Sequence, residues 1–490
     1  MRKIFFIAIA ILLGSAATAQ QSDAIYKLLR EEWTVNADGS SDYHHRHEVQ
    51  ILRNRALVAY AGLGETFVVY NPDIEELTVN EVYTIQKDGT LVAMPQNAFV
   101  YQLPSECADC GRFNHIRELA MVHTGMELGC SIVVDYTIHS RNGIVNRTIN
   151  LVQDYPVETL EVNVMVPEGQ QLNVQLNNPE VFDFNPTVEQ SATSYSLKAS
   201  DVPQRYSDSY MPAQELLYPT LHFFNGTPQF AVAESDEPFE EAWDAIGKVT
   251  GKGPAKEQVT NIRNYVVDNI HLNDLEPAKV GYAVASPVET WQSGCGTAAD
   301  KAALLAAILR YEDYEANVCG ENMDMVSVVI DTLEYRLTIR DKAPIQLYGE
   351  AHDEVSIYSN DLTEEAVLDT VEEGFYRLNL PLIPGAPALD IRRMAITRTA
   401  PLQSSACDLS ETATYILPKG VKMMGTKVNE KLTFDGVGSV QVSIKQSGKK
   451  LTVVRKLKLE KSIVPVSDYE NYRKLLAVWQ SHDSVMLRSK

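Results

Sequence analysis

Cys295 lies in a Ser-Gly-Cys-Gly-Thr run whose surroundings would let a thiol do chemistry. Two residues on, Thr297 has the character of a helix N-cap, and Asp300 stands where a capping-box carboxylate belongs. The amides and dipole at such a helix end favour a thiolate and lower a thiol pKa. A cysteine nucleophile also needs a base within hydrogen-bond reach and a third group to orient that base. No histidine occurs between Gly296 and Ala351; the next is His352, followed by Asp353. Adjacent strand residues point apart, so Asp353 is badly placed to orient His352.

The other thiols and imidazoles carry weaker signals. Cys107-Ala108-Asp109-Cys110 has C-x-x-C spacing, but neither a helix start nor a second ligand pair stands beside it. A local disulfide or unpaired loop thiols are expected there. Cys295 with Cys319 is another conceivable pair, and the six cysteines leave the connectivity open. His45 and His47 share one face of a strand beside His44. With no third ligand in a determinable position, a polar strand face is the preferred reading and no metal or cofactor is expected.

The elements that position Cys295 can be read from periodicity. Ala302, Leu304, Leu305, Ile308 and Leu309 make an apolar helix face, with the helix starting at Ala298. Residues 255–270 form a second helix with a Val259, Ile262, Val266, Ile270 stripe, preceded by Pro254. Residues 239–249 read as a further helix, and residues 323–340 alternate as a hairpin. Trp291, Gly294 and Gly296 flank the thiol. A lid over the core is the expected fate of the tryptophan, and the glycines imply backbone shapes or close approaches that a side chain would forbid.

This stretch resembles the nucleophile helix of the transglutaminase-like, papain-related thiol enzymes, which in exported bacterial proteins runs roughly Gly-Tyr-Gly-Asp-Cys-Lys-Asp-Lys-Ala. Two registers result. Matching cysteine to cysteine makes Cys295 the nucleophile but leaves Asp300-Lys301 three residues late. Matching Asp300-Lys301-Ala302 needs no gap and puts Ala298 in the nucleophile position; motif spacing and capping geometry agree on this second register. The resemblance implies a histidine opening the next strand, near Asp324-Met325, and an aspartate at Thr338 of Tyr335-Arg336-Leu337-Thr338. All three catalytic positions are thus expected to be substituted, and Cys295 with a recruited His352 is the alternative.

The rest of the chain gives the setting. Residues 1–19 have the form of a signal peptide: Arg2-Lys3, an apolar run and Ala17-Thr18-Ala19. The apolar run is short for a transmembrane anchor. The 490 residues carry a net charge of −22, which argues against nucleic acid or an anionic membrane as partner. Residues 20–230 are rich in short alternating runs with a Lys87-Asp88-Gly89 hairpin turn, expected to form a β-sandwich. They resemble the domain of unknown function that precedes transglutaminase-like domains in exported bacterial proteins. Residues 386–490 resemble the C-terminal β-domain of the same proteins and end in a helix with a Tyr472, Leu475, Leu476, Trp479 docking stripe.

The expected architecture is therefore a multidomain α+β chain. It has an N-terminal β-sandwich (20–230), a central transglutaminase-like α+β domain (231–385) and a C-terminal β-rich domain (386–490). The expected function is that of an exported, periplasmic or extracellular pseudoenzyme. It would bind a peptide, glycopeptide or envelope protein at a cleft around Trp291, Gly294, Cys295 and Gly296. A thiol protease, amidase or transglutaminase is the alternative.

Overall fold

The computed structural model describes residues 22–58, 62–179, 184–226, 240–320, 326–342, 346–347 and 355–489. The signal-peptide segment, the 321–325 stretch and His352-Asp353 lie outside them. The chain is mostly β, arranged in several sheets, and divides into two compact units: Met1–Arg205 with Tyr218–Gly349, and Tyr206–Leu217 with Glu350–Lys490.

The first unit is built on an eight-stranded sheet. Its central strands, Ala24–Val35, Ser41–Ile51 and Ser131–Ser140, run antiparallel. Val157–Met165 joins Ala24–Val35 in parallel. One face packs on a three-stranded sheet of Glu65–Tyr70, Arg117–Val122 and Phe99–Gln102. Val49, Ile51, Val68, Leu119, Met121, Ile132 and Val134 fill the space between the two. These are strand positions two apart, the period that sends alternate side chains to one face. The Lys87-Asp88-Gly89 turn closes the Glu75–Ile85 and Leu91–Ala93 hairpin, with Gly89 at φ 88°.

The same unit contains the helical segment. Helices Glu240–Thr250, Ala255–Asn269, Pro287–Ser293 and Ala298–Tyr311 precede a four-stranded antiparallel sheet. Its strands include Ala316–Gly320, Val326–Ile330 and Tyr335–Leu337, with a single 3-10 turn at Asp331–Leu333 between the last two. Val259, Ile262 and Val266 meet Ala302, Leu305, Ile308 and Leu309, and beyond them Val328, Ile330 and Leu337. The Ala298–Tyr311 helix is thus covered on nearly every side, which explains its alanines: a buried helix needs small residues where neighbours come close.

The second unit holds a five-stranded sheet of Ser356–Glu365, Cys407–Ile416, Lys450–Leu459, Gly438–Ser447 and Val428–Phe434. Residues 356–379, on the central-domain side of the sequence division at 385, form strands within this unit. The Tyr469–Gln480 helix buries Tyr472, Leu475 and Leu476 against these strands, so its apolar stripe docks within its own unit. The last strand, Ser484–Ser489, pairs with Phe375–Asn379, a link that the sequence did not suggest.

Candidate functional site

Local chemistry makes the entrance to the central helix. Ser286 caps the Pro287–Ser293 helix by accepting the Glu289 amide at 3.2 Å, and Pro287 occupies the first turn, where no amide is needed. Gly294, at φ 65°, ends that helix in the left-handed conformation. Cys295-Gly296 then forms a short strand parallel to His271-Leu272. Thr297 caps the next helix, which begins at Ala298 as expected. Its hydroxyl accepts the Asp300 amide at 3.3 Å, while the Asp300 carboxylate accepts the Thr297 amide at 2.9 Å.

Asp300 does more than cap. It is fully buried and also accepts the Ala285 amide at 2.6 Å and the Arg112 guanidinium at 3.0 Å. Gly296 makes this possible, because a Cβ there would stand 2.8 Å from the Asp300 Cβ. Lys301 is buried beside it and donates to the Ile270 carbonyl at 2.8 Å. Burial, aided by Arg340 and opposed by Asp268, lowers the Lys301 ammonium to about 8.

The positions matched to a catalytic set are occupied as follows. Ala298 is 6% exposed and borders a void of about 10 Å³, closed by Asp274, Leu275, Pro277 and Val280. Thr338 follows the Tyr335–Leu337 strand, and its hydroxyl accepts the Arg340 amide at 3.2 Å. Arg340 in turn reaches Asp274 at 3.0 Å. The strand entrance expected near Asp324-Met325, and His352, lie outside the described residues.

Cys295 is bonded to Cys110. This corrects both pairings considered from sequence: Cys107 is free and buried rather than bridged to Cys110, and Cys319 is free rather than bridged to Cys295. In this state the Cys295 sulfur has no thiolate to offer as a nucleophile. A bond across 185 residues leaves no local signal, so spacing could not have revealed it.

Trp291 is half-buried, stacks on Tyr265 at 6.0 Å and packs against the helical core, the lid role expected of it. Gly294 and Gly296 serve the backbone, as described. A larger concavity lies elsewhere. A cleft of about 310 Å³ opens between the first sheet and the 274–279 segment, lined by Tyr43, Phe67, Tyr136, Arg147, Glu276 and Lys279 among others. Arg147 and Glu276 pair across it at 2.6 Å. Desolvation raises the Glu276 carboxyl, but the charges of Arg147 and Lys279 and the hydrogen bond from Arg147 together hold it below its ordinary range. Lys279 and Glu75 form a buried pair at 3.0 Å. Sequence reasoning missed this cleft because its walls come from segments more than 200 residues apart.

The histidines adopt the expected faces. His45 and His47 lie side by side with ring nitrogens 2.8 Å apart, and His44 points the other way to Glu32 and Asp135. Burial, then the neighbouring His45 and His123, hold the His47 imidazole well below its ordinary value. Among the described residues no group of three or more His, Cys, Asp or Glu side chains is arranged to hold a metal ion. No described helix is long and apolar enough to cross a membrane.

These features define a multidomain, β-rich protein with a buried alanine-rich helix at the centre of its first unit. Residues 37–206 match a family described as a domain of unknown function with a solved structure, DUF3857. Residues 376–487 match a second such family, DUF3858. No curated protein matches the chain. A solved structure from Parabacteroides distasonis ATCC 8503, described as a "putative protease", superposes with a TM-score of 0.73 at 23% identity. The match covers 95% of this chain and 99% of that one, and at this identity it shows a shared fold alone.

Proposed function

We propose that this chain is an exported protein of the bacterial envelope whose central transglutaminase-like scaffold is non-catalytic and serves recognition or assembly. The observation that carries this reading is the helix start: a buried methyl group, Ala298, occupies the nucleophile position, and Asp274, Leu275, Pro277 and Val280 line the small void beside it. Thr338, at the orienting position, is held by a backbone amide and is a hydroxyl rather than a carboxylate. The 310 Å³ cleft is the better candidate for a ligand. It falls at the lower end of the roughly 300–1,000 Å³ typical of small-ligand sites. Its aromatic walls and Arg147–Glu276 pair suit a peptide or glycopeptide segment with both apolar and charged groups. The disulfide and the signal-peptide pattern support an oxidising, exported location, periplasmic or extracellular.

A second reading, a thiol protease or amidase acting through Cys295 and His352, is favoured by the description of the Parabacteroides neighbour. The two are separated by incubating the purified mature protein, oxidised and mildly reduced, with peptide and glutamine-donor substrates. The non-catalytic reading expects no turnover in either state. Turnover that disappears in Cys295→Ser would replace it with the protease reading.

A further inference from the structure

Three sulfurs share one buried cluster. Cys107, Cys110 and Cys295 lie together with Phe113, Ile116 and Leu275, and Cys107 is a free thiol fully shielded from solvent. The Cys110 amide donates to the Cys107 carbonyl at 3.4 Å and Asp109 takes φ 62°, so residues 107–110 close a tight turn. Turns of this kind bring their end Cα atoms within about 7 Å. Disulfides span Cα separations of roughly 4.4–6.8 Å, and the Cys110–Cys295 bridge spans 5.9 Å. Cys110 therefore has two sulfur neighbours, one bonded and one local in sequence. Cys130 and Cys407 belong to other clusters.

We propose that Cys107, Cys110 and Cys295 form a thiol–disulfide exchange site, in which the bridge moves from Cys110–Cys295 to Cys107–Cys110 and Cys295 is released as a thiol. The Cys107 thiolate attacks the Cys110 sulfur. A Cys107–Cys110 bond forms as the Cys110–Cys295 bond breaks, and the electron pair leaves with the Cys295 sulfur. Cys295 takes up the proton that Cys107 gave up. One disulfide replaces another, so no oxidant or reductant is consumed.

The exchange changes what the bond does. Cys110–Cys295 ties the loop after the Phe99–Gln102 strand to the entrance of the Ala298–Tyr311 helix, across 185 residues. Cys107–Cys110 ties only a turn to itself. The site thus acts as a releasable staple on the helix entrance, whether or not the core hydrolyses anything. Burial, reinforced by Glu106 and Glu118, pushes the Cys107 thiol up to about 11. Thiolate is therefore scarce at neutral pH and the exchange is slow there. The exchange rate should rise about tenfold per pH unit below that value, since only the thiolate attacks.

Disulfide mapping tests this. The oxidised full-length mature protein is held at pH 7, 8 and 9, quenched with acid, unfolded, alkylated at low pH and digested without reduction. Circular dichroism checks that the fold persists at each pH. The expected result is a Cys107–Cys110 peptide with alkylated Cys295, appearing about ten times faster per pH unit. Cys107→Ser should abolish the release of Cys295, and Cys295→Ala should form the Cys107–Cys110 bridge in oxidising buffer. A map that keeps Cys110–Cys295 as the sole bridge at pH 9, an undiminished release of Cys295 in Cys107→Ser, or an unbridged Cys107 and Cys110 in Cys295→Ala overturns the proposal.

Discussion

The Asp300 carboxylate and the Arg112 guanidinium meet 3.0 Å apart although 188 residues separate them in the chain. The contact fastens the start of the central helix to the loop that carries Cys110. Asp300 also satisfies the Thr297 and Ala285 amides, so three donors converge on one buried side chain. Asp300→Ala should therefore destabilise the first unit by about 3 kcal/mol, with three donors left unsatisfied. Urea unfolding measures this; a loss below about 1 kcal/mol would mean that the contact contributes little beyond an ordinary cap.

Breaking the Cys110–Cys295 bond should cost about 2–5 kcal/mol, because the bond closes a long loop in the unfolded chain. Cys110→Ser and Cys295→Ser should each lower the denaturant midpoint. The double variant should lose no more than either single one, since both remove the same bond. An additive loss would assign the effect to packing instead.

Gly296 and Gly294 make opposite demands. An added Cβ at Gly296 stands 2.8 Å from the Asp300 Cβ, whereas nothing lies within 4 Å at Gly294, whose constraint is its φ of 65°. Gly296→Ala should cost about 1–3 kcal/mol by overpacking. Gly294→Ala should cost about 1 kcal/mol through backbone strain alone. Thermal melts of the two variants should rank them in that order.

Acid should weaken the first unit before its carboxylates titrate. Burial lowers the His123 imidazole from 6.5 to about 4, and its Nδ1 is buried without a hydrogen-bond partner. The unfolded chain therefore takes up a proton that the folded one refuses. The stability contribution is complete above pH 6.5 and is lost as pH falls towards 4, by about 3 kcal/mol in all. His47 acts in the same direction. Urea midpoints at pH 7.5 and 4.5 should differ more in the wild type than in His123→Gln; equal differences would remove His123 from the account.

Restoring a thiol at the helix start should not restore chemistry. Ala298→Cys sets a sulfur at the first helical position, but Thr338 cannot orient a base as a carboxylate does. The variant should not hydrolyse peptide substrates, and its buried sulfur should be alkylated only after unfolding. Amide turnover by this single substitution would contradict the non-catalytic reading directly.

Much of the helix entrance was legible in the residues. Thr297 with Asp300 predicts a cap, and the structure begins the helix at Ala298. The Val259, Ile262, Val266 stripe and the alternation through Val326–Ile330 and Tyr335–Leu337 likewise appear as a helix and paired strands. Such features depend on hydrogen bonds and side-chain periods within a few residues, and those are written locally. The role of Gly296 was half legible: the glycine announced a close approach, but not that Asp300 would fill it, and nothing in the sequence pointed to Arg112.

By itself, the order of residues determined the caps, the helices, the hairpins and the absence of any histidine close behind Cys295. Which sulfur Cys295 would meet, where the cleft beside Arg147 and Glu276 would open, and which unit would claim residues 356–379 were decided only by tertiary structure. The physical reason is distance along the chain. A contact closed across nearly two hundred residues is selected by the packing of whole sheets and helices, and no short window of sequence contains both of its ends.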